Sequence, residues 1–244
     1  VSLSVALSPA GLDPDALDGR AVLVVDVLRA STTVVTALQS GARAVIPVAD
    51  KGEAGRLAAT LDRDVSVLGG ERGGEKLAGF ALGNSPGEYT EAAVAGKTVV
   101  LTTTNGTAAL VRARGAARLA MGALVNASAS EAFLRRALDD GLGAVVLCAG
   151  WEGRVALEDA LCAGLLVDRL AERAAAAPLD DGARIAHGLY RGARDDLARA
   201  LFTADHTRRL VALGAGDDVA LCARLDASEV LPVYRDNQLV AGAP

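Results

Sequence analysis

With 244 residues, 51% of them hydrophobic and 23% charged, the chain has enough apolar material for a full core, which excludes a disordered or tail-like protein. A formal net charge of −5 and 3% aromatic content supply neither the basic footprint nor the stacking surface of a nucleic-acid binder, so no nucleic-acid partner is expected. Three cysteines (Cys148, Cys162, Cys222) without paired zinc spacing indicate a reducing compartment, and two histidines (His187, His206) argue against a histidine-rich metal cluster.

The chain opens on VSLSVALSPAGLDPD, which has no basic region followed by a long apolar one, and no later apolar run approaches the roughly 20 residues needed to cross a bilayer. The expectation is a cytoplasmic protein with no membrane partner. Residues 21–27 (AVLVVDV) read as a buried strand, 31–40 as a helix stopped by Gly41, and 44–48 (AVIPV) as a second strand. Strands follow at 65–68 and 97–101 (KTVVL), then a helix at 107–113 and another that Ser128 or Ser130 caps and that runs to about Asp140. AVVLC (144–148) reads as a strand and 156–176 as a long helix, followed by a linker or surface loop at 174–184 (AAAAPLDDGAR), with His187 near a strand-to-loop end. Helices near 193–202 and 205–213 and short strands at 219–223 and 230–235 complete the chain; His206 falls at a helix start and Cys222 on a strand.

Continuous valine-rich runs between alanine- and leucine-rich helices predict a layered α/β/α fold with a largely buried, mixed sheet. One compact domain over 1–244 is expected. The alternative is two intimately packed lobes, about 1–122 and 123–244, suggested by similar strand–loop–helix units near 21–41 and 144–176.

Ligands of open α/β sheets collect beyond the carboxyl ends of strands, and four polar insertions occupy such places. In VVDVLRASTTVV, Asp26 interrupts an apolar strand, which is costly for an acid unless it is paired or bound to a cation. Arg29, Ser31 and Thr32 then offer a guanidinium, hydroxyls and helix-terminal amides to a phosphoryl oxygen, although an N-cap and an ion pair would use the same residues. In LGGERGGEKLAGFALGNSPGEYT, glycines bracket Glu71 and Arg72 and allow close backbone approach, while Asn84 lies in a turn that suits a substrate rim. Neither a P-loop nor the GxGxxG dinucleotide fingerprint is present. LTTTNGTAAL sets Thr104, Asn105 and Gly106 at a helix start with more hydroxyl and carboxamide groups than one cap uses. In LCAGWEGRVALEDALCAGLL, Cys148 and Arg154 have the C-x5-R spacing of cysteine-dependent phosphatases, and Glu158 and Asp159 occupy a first helical turn, where complementing the helix dipole would also suit them.

Taken in series, DVLRASTT, GGERGG with GFALGNSP, TTTNGTAAL, and CAG followed by LEDALCAG resemble the 2-phosphosulfolactate phosphatase family over nearly the whole chain. The resemblance implies a magnesium-dependent hydrolase that converts 2-phosphosulfolactate to sulfolactate and phosphate, a step toward coenzyme M. It also sets Asp26, Arg29, Glu71, Arg72, Asn84, Asn105, Cys148, Glu158 and Asp159 on the family's motif positions, whereas the WEGR segment lies outside them and Arg154 gains nothing from it.

Residue chemistry then suggests that Asp26, with Glu71 or an acid of the Glu158/Asp159 pair, holds Mg²⁺, which makes Asp26, Glu71 and Asp159 the candidate ligands. Arg29, Thr104 and Asn105 would hold phosphoryl oxygens, Arg72 a sulfonate or carboxylate, and Glu158 would protonate the leaving alkoxide. Direct attack by water, an Asp26 phospho-enzyme and attack by Cys148 remain separate routes. The competing classes are a phosphatase for another small acidic phosphoester, a non-catalytic binder of an anionic metabolite, and a structural protein whose polar segments would not converge. A homodimer suits a compact metabolic enzyme, and no sequence feature fixes its interface.

Overall fold

The structure, a computed structural model, describes residues 2–62, 64–171 and 178–242. Among these residues, ten strands run in chain order as β1 (Leu3–Ala6), β2 (Arg20–Val25), β3 (Ala44–Pro47), β4 (Ser66–Arg72), β5 (Glu75–Lys76), β6 (Thr98–Thr102), β7 (Arg118–Gly122), β8 (Gly143–Cys148), β9 (Leu231–Arg235) and β10 (Gln238–Gly242). The α-helices are α1 (Ala30–Gln39), α2 (Lys51–Ala58), α3 (Glu91–Val94), α4 (Gly106–Arg112), α5 (Ala127–Asp139), α6 (Leu157–Ala171), α7 (Asp181–Ala193), α8 (Leu197–Phe202), α9 (Asp205–Ala212) and α10 (Gly216–Cys222).

The strands form one mixed sheet in the order β1-β8-β2-β7-β9-β10-β3-β6-β4-β5, as a layered α/β fold requires. Two parallel blocks, β1-β8-β2-β7 and β3-β6-β4, are joined by the antiparallel β9–β10 hairpin. Strands from before and after residue 122 therefore interleave in the first block instead of dividing the sheet by sequence halves.

The valine run at β2 shows why that strand is apolar throughout. Ala21, Leu23 and Val25 join a core with Leu134, Leu161 and Leu166 on one face, while Val22 and Val24 meet Val34, Leu38 and Leu110 on the other. Side chains alternate across a strand, so a strand covered on both faces loses the polar half of its pattern.

Helix α7 takes up the last four residues of the expected linker, 181–184. Residues 174–177 of that segment lie outside the described residues, but Asp180 caps α7 by accepting a hydrogen bond from the Ala183 N–H, and Asp181–Ala193 is helical. His187 is thus on a helix, where its Nε2 lies 2.8 Å from Asp168 Oδ1. Residues 219–223 are also helical rather than a strand, up to Cys222. Asp217 and Asp218 sit in the first turn of α10 and favour its N-terminus, while Val219 and Cys222 follow at i,i+3 spacing and are buried. Cys222 is consequently a buried helical thiol.

Helices α6 and α7 approach closely enough that a Cβ at Gly164 would overlap the Ala186 carbonyl oxygen. Gly164→Ala is expected to destabilise the fold by about 1–3 kcal/mol through overpacking, or roughly 2–10 °C in melting temperature. Thermal unfolding checks the size, and activity per folded molecule should stay within twofold because Gly164, although it closes the LEDALCAG motif, meets Ala186 and Tyr190 of α7.

Candidate functional site

Asp26 follows directly on β2 and builds the turn into α1. Its N–H donates to Ser31 Oγ (3.0 Å), its carbonyl accepts from the Ser31 N–H (2.9 Å), and its Oδ1 accepts from the Ala30 N–H (3.1 Å). The Leu28–Arg29 peptide in this turn is cis. Arg29 is buried and fixed at both ends of its fork: Nη1 donates to Asp218 Oδ2 on α10 at 2.6 Å, and Nη2 to the Gly74 carbonyl at 2.8 Å. Asp218 accepts a second bond from Ser85 Oγ at 2.5 Å, which ties the GNSPG turn to the same ion pair.

Glu71, near the end of β4, clamps two loops together. Its Oε2 accepts from the Gly74 N–H (2.8 Å) and Thr104 Oγ1 (3.2 Å), and its Oε1 from the Thr104 N–H (2.6 Å). Four spacings of β-strands plus one separate β2 from β6, roughly 24 Å in a flat sheet. The sheet's twist and the loops at the two strand ends close that gap. A Cβ on Gly106 would lie 2.7 Å from Asp26 Oδ2 and 2.6 Å from Ala30 Cβ, so only a glycine lets α4 begin against the Asp26 carboxylate.

The result is a small cavity of about 100 Å³ bounded by Asp26, Arg29, Glu71, Asn84, Thr104 and Asn105. Trp151 and Glu152, from the loop after β8, and His206 and Arg209, from α9, close its other side. Asn84 is buried, and its carboxamide Oδ1 has no hydrogen-bond partner among the described residues. Arg209 is exposed at the cavity, and its side chain makes no hydrogen bond or ion pair among them either. Burial pushes the Asp26 carboxyl up to about 6, against the pull of His206 and the Ala30 N–H and with the help of the Glu71 and Glu158 charges.

Several residues singled out in the sequence stand behind this wall rather than in it. The Ser31 hydroxyl is engaged with Asp26 and the Val24 carbonyl, and Thr32 Oγ1 donates to the Val27 carbonyl at 2.9 Å, so both serve the turn into α1 instead of a substrate. Arg72 turns away, donating to the carbonyls of Glu71 and Ala49 and to Thr102 Oγ1. Asp159 joins the ends of β2 and β8 by accepting from the Val27 N–H at 2.9 Å and the Gly150 N–H at 3.0 Å. Burial and the neighbouring Asp26 and Glu158 charges push its carboxyl well up.

Cys148 is fully buried at the end of β8, and burial, with the Asp159 charge beside it, drives its thiol well above the ordinary range. A nucleophilic thiolate needs the opposite environment. Arg154 is exposed, pairs with Glu152 at 3.3 Å and lies over the Trp151 ring at 4.9 Å, outside the cavity. Glu158 is buried and reaches the cavity only through His206.

The metal set expected from sequence does not gather. Glu71 and Asp159 commit both carboxylate oxygens to backbone amides, and among the described residues no three His, Cys, Asp or Glu side chains group as a cage for a cation. Asp26 presents a buried carboxylate oxygen, Oδ2, that is at the wall and has no donor among those residues.

The residues that sequence reasoning passed over are His206, Arg209 and Asp218. His206 and Arg209 were legible as an i,i+3 pair on one helix face, but nothing local says which face meets the site.

Comparison with known proteins matches residues 6–237 to the family described as 2-phosphosulpholactate phosphatase. A protein of Symbiobacterium thermophilum named "Probable 2-phosphosulfolactate phosphatase" is 40% identical over 224 residues, covering 92% of this chain and 95% of the relative. Proteins of the same name from Caldicellulosiruptor saccharolyticus (40% over 224 residues, 91% and 92% covered) and Parasynechococcus marenigrum (43% over 230 residues, 93% and 92% covered) are similar to the chain throughout.

Proposed function

The chain belongs to the 2-phosphosulpholactate phosphatase family, and from that premise we propose that it hydrolyses 2-phosphosulfolactate to 3-sulfolactate and phosphate with Mg²⁺ as cofactor. The observation that carries this reading is the convergence of three separate motifs, around Asp26, Glu71 and Thr104, with Asn84 on one small cavity, where Arg29 and Arg209 suit a polyanion and the open oxygens of Asp26 and Asn84 suit a cation.

Asp26 is the residue to hold Mg²⁺, since a hard cation that keeps its waters takes one or two carboxylates and completes its shell with phosphoryl oxygens. Bound there, the cation would supply charge neutralisation on the phosphoryl group and an acidified water. Arg29, held by Asp218 and Gly74, offers its remaining N–H groups from a fixed position, so little ordering is left for the bound state. Glu71 fixes the Thr104 loop, Asn84 and Asn105 orient phosphoryl oxygens, and Arg209 is free for the carboxylate or sulfonate at the other end of the substrate.

The decisive test is phosphate release from racemic 2-phosphosulfolactate by metal-free protein, before and after addition of Mg²⁺. Rapid, Mg²⁺-dependent release supports the reading, and comparison with phospholactate isolates the sulfonate. A folded, Mg²⁺-loaded sample that releases nothing overturns the substrate assignment. Arg209→Ala should raise KM for 2-phosphosulfolactate about tenfold or more, with kcat within threefold, because one charge-assisted contact of roughly 1.5–3 kcal/mol is lost. A change confined to kcat would count against that role.

A further inference from the structure

His206 enters the site on the first turn of α9 with two of its features already fixed. Its Nδ1 lies 2.8 Å from Glu158 Oε1, and its ring lies flat on the Trp151 indole, with centroids 5.2 Å apart and planes 10° from parallel. Glu158 is 1% exposed, and its other carboxylate oxygen, Oε2, has no partner among the described residues, so the imidazole is what this buried acid serves. With Nδ1 committed, Nε2 is the nitrogen left for a ligand, and the side chain is on the wall of the cavity that holds Asp26 and Arg29. An imidazole oriented by a carboxylate on one nitrogen and presented to a cleft by the other is the arrangement of a proton-transfer catalyst.

We propose that His206 is a catalytic residue, the proton donor to the leaving alkoxide, and that Glu158 and Trp151 position it. The inference rests on the hydrolysis proposed above and moves the acid role from Glu158, which does not reach the cavity itself. Water oxygen bonds to phosphorus as the ester P–O bond breaks. The bonding pair leaves on the alkoxide oxygen, which takes the proton from Nε2, and the proton lost by the attacking water restores the imidazolium. The alkoxide of a 2-hydroxy acid is a poor leaving group, so the proton matters for this ester and hardly at all for a nitrophenyl ester. His187 is the internal comparison, paired with Asp168 on α7 and away from the cavity wall.

Kinetics of the full-length protein with Mg²⁺, on 2-phosphosulfolactate and 4-nitrophenyl phosphate, test the assignment, with circular dichroism as the folding check. His206→Asn should lower kcat on 2-phosphosulfolactate about 10²- to 10⁴-fold with KM nearly unchanged, and lower the nitrophenyl ester far less. Glu158→Gln should cost roughly 10- to 100-fold in kcat as a positioning residue, and His187→Asn should be silent. A folded His206→Asn protein that retains kcat within threefold, or loses both esters equally, overturns the proposal. If the wild type ignores the nitrophenyl ester, rescue of His206→Ala by added imidazole decides: at least tenfold recovery supports the donor role, and none refutes it. Wild-type protein inert on every phosphomonoester instead removes the parent reading, and the donor role falls with it.

Discussion

Asp26→Asn is expected to abolish phosphate release while making the metal-free protein more stable at neutral pH. Asparagine keeps the bond from the Ala30 N–H but loses the charge proposed to hold Mg²⁺, and several kcal/mol of charge stabilisation correspond to about a thousandfold or more in rate. The stability gain follows from the raised folded-state value of about 6, against 3.8 for the ordinary carboxyl. Between those two pH values the folded chain holds the proton that the unfolded chain has lost, so stability falls as pH rises through the window and the deficit is complete above it. Removing the ionisable group should therefore return up to about 3 kcal/mol at pH 7 and nothing below pH 4. Urea unfolding of both proteins in chelator at pH 4 and pH 7 checks this. An Asp26→Asn protein less stable than wild type at pH 7 would contradict the account, as would one that keeps its activity.

The second large effect is expected at the Arg29–Asp218 pair. Both side chains are nearly inaccessible, at 6% and 9%, and Asp218 is the only carboxylate bonded to that guanidinium among the described residues. Asp218→Ala leaves a buried, uncompensated charge and should cost about 3–5 kcal/mol, enough to unfold a marginal protein. It also frees Ser85 and the GNSPG turn, so any folded fraction should be poorly active. Arg29→Met with Asp218→Leu should recover most of the stability, because an apolar pair of similar size has no desolvation to offset, while activity stays absent. Denaturant unfolding of the three variants separates these outcomes. Equal instability in the single and double variants would place the cost in packing and not in charge.

How much of this was legible in the sequence varies by residue. The β2 run and the oddity of Asp26 were readable because a strand buried on both faces leaves an acid no ordinary place, although the strand ends at Val25 and does not run on through Asp26 to residue 27. The convergence of the Asp26, Glu71 and Thr104 segments was readable as well, since each follows or ends a strand. What was hidden depends on partners distant in sequence. The distinction between Glu71 as clamp and Asp26 as open acid is set by which amides meet their oxygens, and the Thr104 N–H is 33 positions from Glu71. Residues 219–223 read as a short strand because ALC fits either period, and only the 189-residue link from the neighbouring Asp218 to Arg29 reveals the use of that segment. Ser31 and Thr32 misled for a related reason: hydroxyls at a helix start look the same whether they meet a ligand or their own backbone.

The hairpin between the two parallel blocks follows every other described strand in sequence, although it lies in the middle of the sheet. Every cavity side chain precedes residue 231, yet β7 and β3 share no strand neighbour in the sheet until β9 and β10 arrive, pairing Ala120 with Val233 and Val45 with Leu239. A ribosome-bound chain stopped at residue 230 would thus carry the complete chemistry without the strands that bridge its two supports. Pairings across more than a hundred residues are also the slow ones to form. Removing the hairpin is therefore expected to loosen the two blocks from one another while leaving every cavity side chain in place.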